Sequence, residues 1–124
     1  MQAWQLARVL TRDVYSLSAR GAFGRDYALR DQICRASVSI MANVAEGFER
    51  NGNREFLQYL AVAKGSAGEV RSHLYVALDQ GYLDKAEFDQ LQDVCKHIAS
   101  LLYNLMQRLR TSDMAGAKYA PPKT

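Results

Sequence analysis

Proline is almost missing from this chain. Only Pro121 and Pro122 occur among 124 residues, so residues 1 to 120 contain no ring that would break a helix. Cysteine is nearly as scarce. Cys34 and Cys95 are too few for a disulfide framework, and each falls at an apolar position of its helix, so both read as reduced, buried thiols. No continuous apolar run opens the chain, where polar and apolar residues alternate from Gln2 onward, and none elsewhere is long enough for a bilayer. The expectation is a cytoplasmic protein with no secretory signal and no membrane contact. Net charge is small: 16 Lys and Arg against 13 Asp and Glu leave +3, which permits contact with nucleic acid without compelling it. A glycine-rich phosphate loop, a nucleophile elbow and zinc-ligand spacing are all absent. The chain therefore reads as a non-enzyme with no cofactor and no catalytic residues.

What is present is helical periodicity, on a chain long enough for one domain with its own core. Ala3, Ala7, Leu10, Val14 and Leu17 mark a first helix over about residues 2–19, which Arg20-Gly21-Ala22-Phe23-Gly24 ends. A second covers about 26–49 with Asp26 as its N-cap, and Asn51-Gly52-Asn53 breaks it, Asn53 capping the next. The third, about 54–80, carries Phe56, Leu60, Ala63, Ala67, Val70, Leu74 and Ala77 until Gly81 closes it. Asp84-Lys85-Ala86-Glu87 reads as a capping box opening a fourth, lined by Phe88, Leu91, Cys95, Ile98, Leu102, Leu105 and Leu109. Short connections make neighbours antiparallel. The expected fold is an all-α, up-down-up-down four-helix bundle over residues 1–113. Residues 114–124, with Gly, Ala, Lys and both prolines but no periodicity, read as a disordered tail.

The second helix carries two apolar seams where a bundle helix needs one. Leu29, Ile33, Ala36, Ile40, Val44 and Gly47 form the first; Cys34, Val38, Met41, Ala45 and Phe48 form the second, about a quarter turn away. Burying both calls for a neighbouring subunit. The third helix adds a stripe of small residues, Ala61, Gly65, Gly68 and Ser72. Two helical glycines cost about 1 kcal/mol each relative to alanine, and close approach of another backbone would offset that cost. Two backbones qualify: the second helix of the same subunit, or another copy. The expectation is a closed ring whose apolar contacts draw on the first three helices.

Polar residues on the second and third helices suggest one structural network of Arg35, Asn43, Glu46, Ser66 and Glu69, with Arg35 paired to Glu69. Its simplest role is fixing helix register. Glu69 with His73 and Asp93 with His97 are carboxylate–histidine pairs, yet the paired Glu-x-x-His pattern of di-iron bundles is missing, so no metal site is expected. Charge separates by end. Arg50, Arg54, Arg108, Arg110, Lys118 and Lys123 face Glu49, Glu55 and Asp113 at one end, a net +3. Arg20, Arg25 and Lys85 face Asp26, Asp79, Asp84, Glu87 and Asp89 at the other, a net −2. The six basic residues are the candidate nucleic-acid ligands. They lack interleaved aromatics, so they suit phosphates, in RNA or DNA, better than stacked single strands. An alternative is a protein–protein scaffold whose basic end is merely solvated.

Several short strings make the chain similar to a known family. They are Trp4-Gln5; Leu29-Arg30-Asp31-Gln32-Ile33 with Arg35-Ala36; Ser39-Ile40; Asn43-Val44-Ala45-Glu46-Gly47-Phe48 with Arg50; Glu55-Phe56 and Leu60; Ala63-Lys64-Gly65-Ser66 with Glu69; and Gly81-Tyr82. In these the chain resembles the four-helix-bundle family of 23S rRNA intervening-sequence proteins and the accessory variability determinant of diversity-generating retroelements. The resemblance implies a homopentameric barrel of bundles. For the retroelement branch it also implies a basic adaptor that binds nucleic acid and a protein partner, a reverse transcriptase.

Overall fold

Apolar residues three and four apart wind onto one side of each helix, and the sides so formed share a single core. The computed structural model describes the backbone of residues 1–119 and the side chains of residues 1–112. Within them the chain is all helical, with no strand: α1 Gln2–Ser18, α2 Gly21–Arg25, α3 Tyr27–Phe48, α4 Asn53–Asp79 and α5 Lys85–Tyr119. Leu10, Ile33, Ile40, Leu60, Leu74, Ile98 and Leu102 are its largest fully buried side chains. The four long helices pack in a closed order, α1 on α3, α3 on α4, α4 on α5 and α5 on α1.

Cross-helix contacts give the directions. Ser39 meets Ser66, whereas Gly47, further along α3, faces Phe56 and Tyr59, earlier along α4. Arg71 meets Gln92, while Tyr75 packs edge-on against Phe88. Both pairs of helices therefore run antiparallel.

Helix ends are fixed by local chemistry. Asp26 caps α3 by accepting from the Leu29 N–H at 3.2 Å. Gly81 takes φ 75°, and its N–H and that of Tyr82 donate to Leu78 and Ala77, the paired bonds that end a helix at a left-handed residue. At α5 the capping box forms as expected: the Glu87 N–H donates to Asp84 Oδ1 at 2.7 Å, and the Asp84 N–H to Glu87 Oε1 at 3.1 Å.

Five expectations change. The segment after α1 is not a plain break but the one-turn helix α2, because Phe23 is buried there and stacks on Tyr82 at 5.0 Å. Asn53 is the first residue of α4, and Gly52 takes the cap position without a side-chain bond. Ser18 and Met106 are buried where the four-three spacing placed Leu17 and Leu105, both only partly buried. A helix of 3.6 residues per turn drifts off a strict seven-residue repeat, and the core follows the drift. The backbone of α5 stays helical to Tyr119, past the Met114 chosen as the start of the tail; residues 120–124 lie outside the described residues. Finally, Gly65 and Gly68 do not pack against α3. A Cβ on either would meet nothing within 4 Å.

Candidate functional site

The N-terminal turns of α1 lie beside the end of α3, where Met1, Trp4, Val44, Ala45, Phe48 and Glu49 line one cleft. The α3–α4 turn brings Arg50 and Arg54 to the same end. α5, antiparallel to α4, returns Arg108 and Arg110 towards it. Arg54 and Arg108 are exposed. Arg110 is exposed too and donates to Gln107 on its own helix. The side chains of Lys118 and Lys123 lie outside the described residues.

Arg50 is held differently. Its Nη2 donates to Glu46 Oε1 at 2.6 Å and to the Tyr59 hydroxyl at 2.7 Å, its Nε stands 3.8 Å from Glu55, and its guanidinium lies 5.0 Å from the Tyr59 ring centre. The Tyr59 bond first, and the two glutamates after it, raise its pKa above the ordinary arginine value. Arg50 is thus a structural clamp between α3 and α4 before it is a ligand for anything. Glu46 also belongs to this end, and among the described side chains Arg50, Arg54, Arg108 and Arg110 stand against Glu46, Glu49 and Glu55, a net +1.

The five-residue polar network separates into independent pieces. Asn43 Nδ2 donates to the Ser39 carbonyl at 2.8 Å and to Ser39 Oγ at 3.0 Å, and Ser39 Oγ meets Ser66 Oγ at 2.8 Å. That bridge joins α3 to α4. Glu46 goes to Arg50, and Glu69 to His73 at 3.3 Å. Arg35 and Glu69 are exposed. Helix position brought these residues to one side, but each acid found a partner on its own helix or turn first.

A second polar lock was missed. Arg71 Nε donates to Gln92 Oε1 at 3.1 Å, and Gln92 Nε2 donates back to the Arg71 carbonyl at 2.9 Å, with Gln92 buried. A glutamine between Leu91 and Cys95, on the core side of α5, was the available signal. Cys95 is fully buried, and burial pushes its thiol up to about 12 against a small opposing effect of Arg71. Cys34 is buried beside Ser18 Oγ at 3.4 Å. Both cysteines are free thiols. Among the described residues no three His, Cys, Asp or Glu side chains converge as a metal cluster, and no helix is long and apolar enough to cross a membrane.

At the opposite end Arg20 clasps Glu87 through two bonds of 2.7 and 3.0 Å. That contact first, and the Asp84 N–H second, hold the Glu87 carboxyl below its usual range. Tyr82 donates to Asp26 at 2.9 Å. These bonds tie α1, α3 and α5 together.

The outer side of α3 and α4 leaves apolar side chains uncovered between exposed charges such as Arg35, Glu46 and Glu69. The first α3 seam is buried throughout, but of the second only Cys34 is buried. Val38 is 39% exposed and Phe48 57%, and across on α4 Val62 is 53% and Val76 44%. Ala42, Ala45, Ala61, Gly65 and Gly68 lie exposed among them.

The comparisons with known proteins agree with this fold. The chain is similar to a crystal structure of a protein of unknown function from the S23 ribosomal protein family of Bacteroides thetaiotaomicron. The TM-score is 0.77 at 18% identity, over 84% of this chain and 97% of the other. No curated protein matches. The model of the 23S rRNA-intervening sequence protein family matches residues 1–104. With most of its bundle inside that match, this chain belongs to the family of 23S rRNA-intervening sequence proteins.

Proposed function

We propose that this chain assembles into a closed homo-oligomeric ring, a pentamer, and serves as a cytoplasmic, non-enzymatic adaptor. It holds RNA or DNA by the phosphates along a basic rim and presents it to a protein partner such as a reverse transcriptase. The uncovered apolar residues of α3 and α4 carry the reading. Val38, Phe48, Val62 and Val76 stand more than a third exposed, and Gly65 and Gly68 leave the α4 backbone open to close approach. A closed ring joins two different faces of each subunit. It repeats the basic end around one rim, so five copies of a +1 end place about +5 there before residues 113–124 are counted.

Arg54, Arg108 and Arg110, with Lys118 and Lys123, are the phosphate ligands. Arg50, tied to Glu46 and Tyr59, shapes the rim instead. That tie also supports the rival reading, a protein–protein scaffold, because it withdraws one of the cations the adaptor would use. Fluorescence anisotropy with a labelled RNA or DNA duplex separates the two. The adaptor binds at low salt, weakens steeply as salt rises because phosphate contacts release counterions, and fails in an Arg54→Glu, Arg108→Glu double variant of unchanged mass. No binding at low salt leaves the scaffold.

A further inference from the structure

The first helix carries a surface that starts beside the basic end, at Trp4, and runs away from it along α1. Trp4, Arg8, Arg12 and Tyr15 follow one another at steps of four, four and three residues, which winds them onto one face of α1. Ala3, Ala7, Leu10 and Val14 take the buried side, so this face looks outward. Trp4 is partly buried, with its ring packed against the core, while Arg8, Arg12 and Tyr15 are exposed. Trp4, Gln5, Arg8, Val9 and Arg12 line an open groove of about 480 Å³. Two acids stand nearby: Glu49 lines a cleft with Trp4, and Asp13 lies 3.5 Å from Arg12, whose side chain is 72% exposed. An ion pair so open to water is weak, and a phosphate can replace it.

We infer that this groove binds single-stranded nucleic acid, with Arg8 and Arg12 holding phosphates while Trp4 and Tyr15 stack on unpaired bases. Cations between aromatic rings are what a single strand requires, since its phosphates need charge and its bases offer open π-faces. A partner helix would want a continuous apolar stripe, which two arginines interrupt. A duplex keeps its bases stacked on one another and can use only the arginines. The inference rests on the proposed nucleic-acid role but concerns another face and another state of the strand.

Trp4 is the single tryptophan of the chain, so its emission reports on this groove and on the cleft that it shares with Phe48 and Glu49, and the Arg8, Arg12 variant assigns the quenching to the groove. The whole protein is titrated at low salt with oligo-uridine and with an RNA duplex of equal length. Oligo-uridine should quench Trp4 saturably and the duplex should not. Tyr15→Ala should weaken oligo-uridine binding about tenfold, as loss of one stacking partner does, and Arg8→Glu with Arg12→Glu should abolish it. Helicity and mass should stay unchanged in both variants. An Arg54→Glu, Arg108→Glu variant should lose the duplex and keep the quenching. Absent quenching, or quenching unaltered in the Arg8, Arg12 variant, overturns the inference. If duplex binding persists in that case, the rim reading stands; if neither nucleic acid binds, both fall.

Discussion

Gly47 shows how closely α3 and α4 approach. A Cβ there would lie 2.8 Å from Phe56 Cδ1 and 3.0 Å from Tyr59 Cβ, nearer than side chains tolerate. Gly47→Ala should therefore cost about 1–3 kcal/mol through overpacking, seen as a lower urea midpoint with an unchanged slope. An unchanged midpoint would mean that the ring of Phe56 moves aside freely. The position was legible in the sequence as the last member of the first α3 seam, because helical spacing alone decides which side a residue faces. Arg50 was not legible in the same way. Its choice of Glu46 and Tyr59 over a distant phosphate is a competition between distances, and spacing along the chain does not rank them. Arg35 and Glu69 failed to pair for the same reason: Glu69 had His73 one turn away.

Helix ends were read best where a side chain does the capping. Asp26 and the Asp84–Glu87 box have a chemical signature, whereas α2 is held by the burial of Phe23, which no local pattern announces. The box also makes stability depend on pH. The folded Glu87 carboxyl sits below its usual range, chiefly through Arg20 and then the Asp84 N–H. A carboxylate lowered by folding contributes stability that is complete above its unfolded pKa, about 4.3. The contribution is lost as pH falls through the folded value. Glu87→Gln should thus cost about 0.5–1 kcal/mol at pH 7, the size of a partly exposed ion pair, and that gap to wild type should close towards pH 3. Urea midpoints of both proteins across that range check it; an equal gap at both pH values would assign the loss to packing. On α4, two glycines that cost about 1 kcal/mol each relative to alanine meet no neighbour within the subunit, so the fold of one chain gives no reason for them.

At the scale of the molecule, the helical bundle was legible because each long helix repeats its apolar residues on one face, and four such faces close one core. The uncovered apolar residues of α3 and α4 were legible only as a surplus: a second seam of which Val38, Ala45 and Phe48 stay exposed in one chain. The basic end acts through the assembly, which repeats it around one rim. Light scattering on the purified protein at micromolar concentration tests that assembly most directly. A pentamer scatters as one species near 70 kDa, five times the 13.9 kDa chain; a single species of about 14 kDa would overturn the ring.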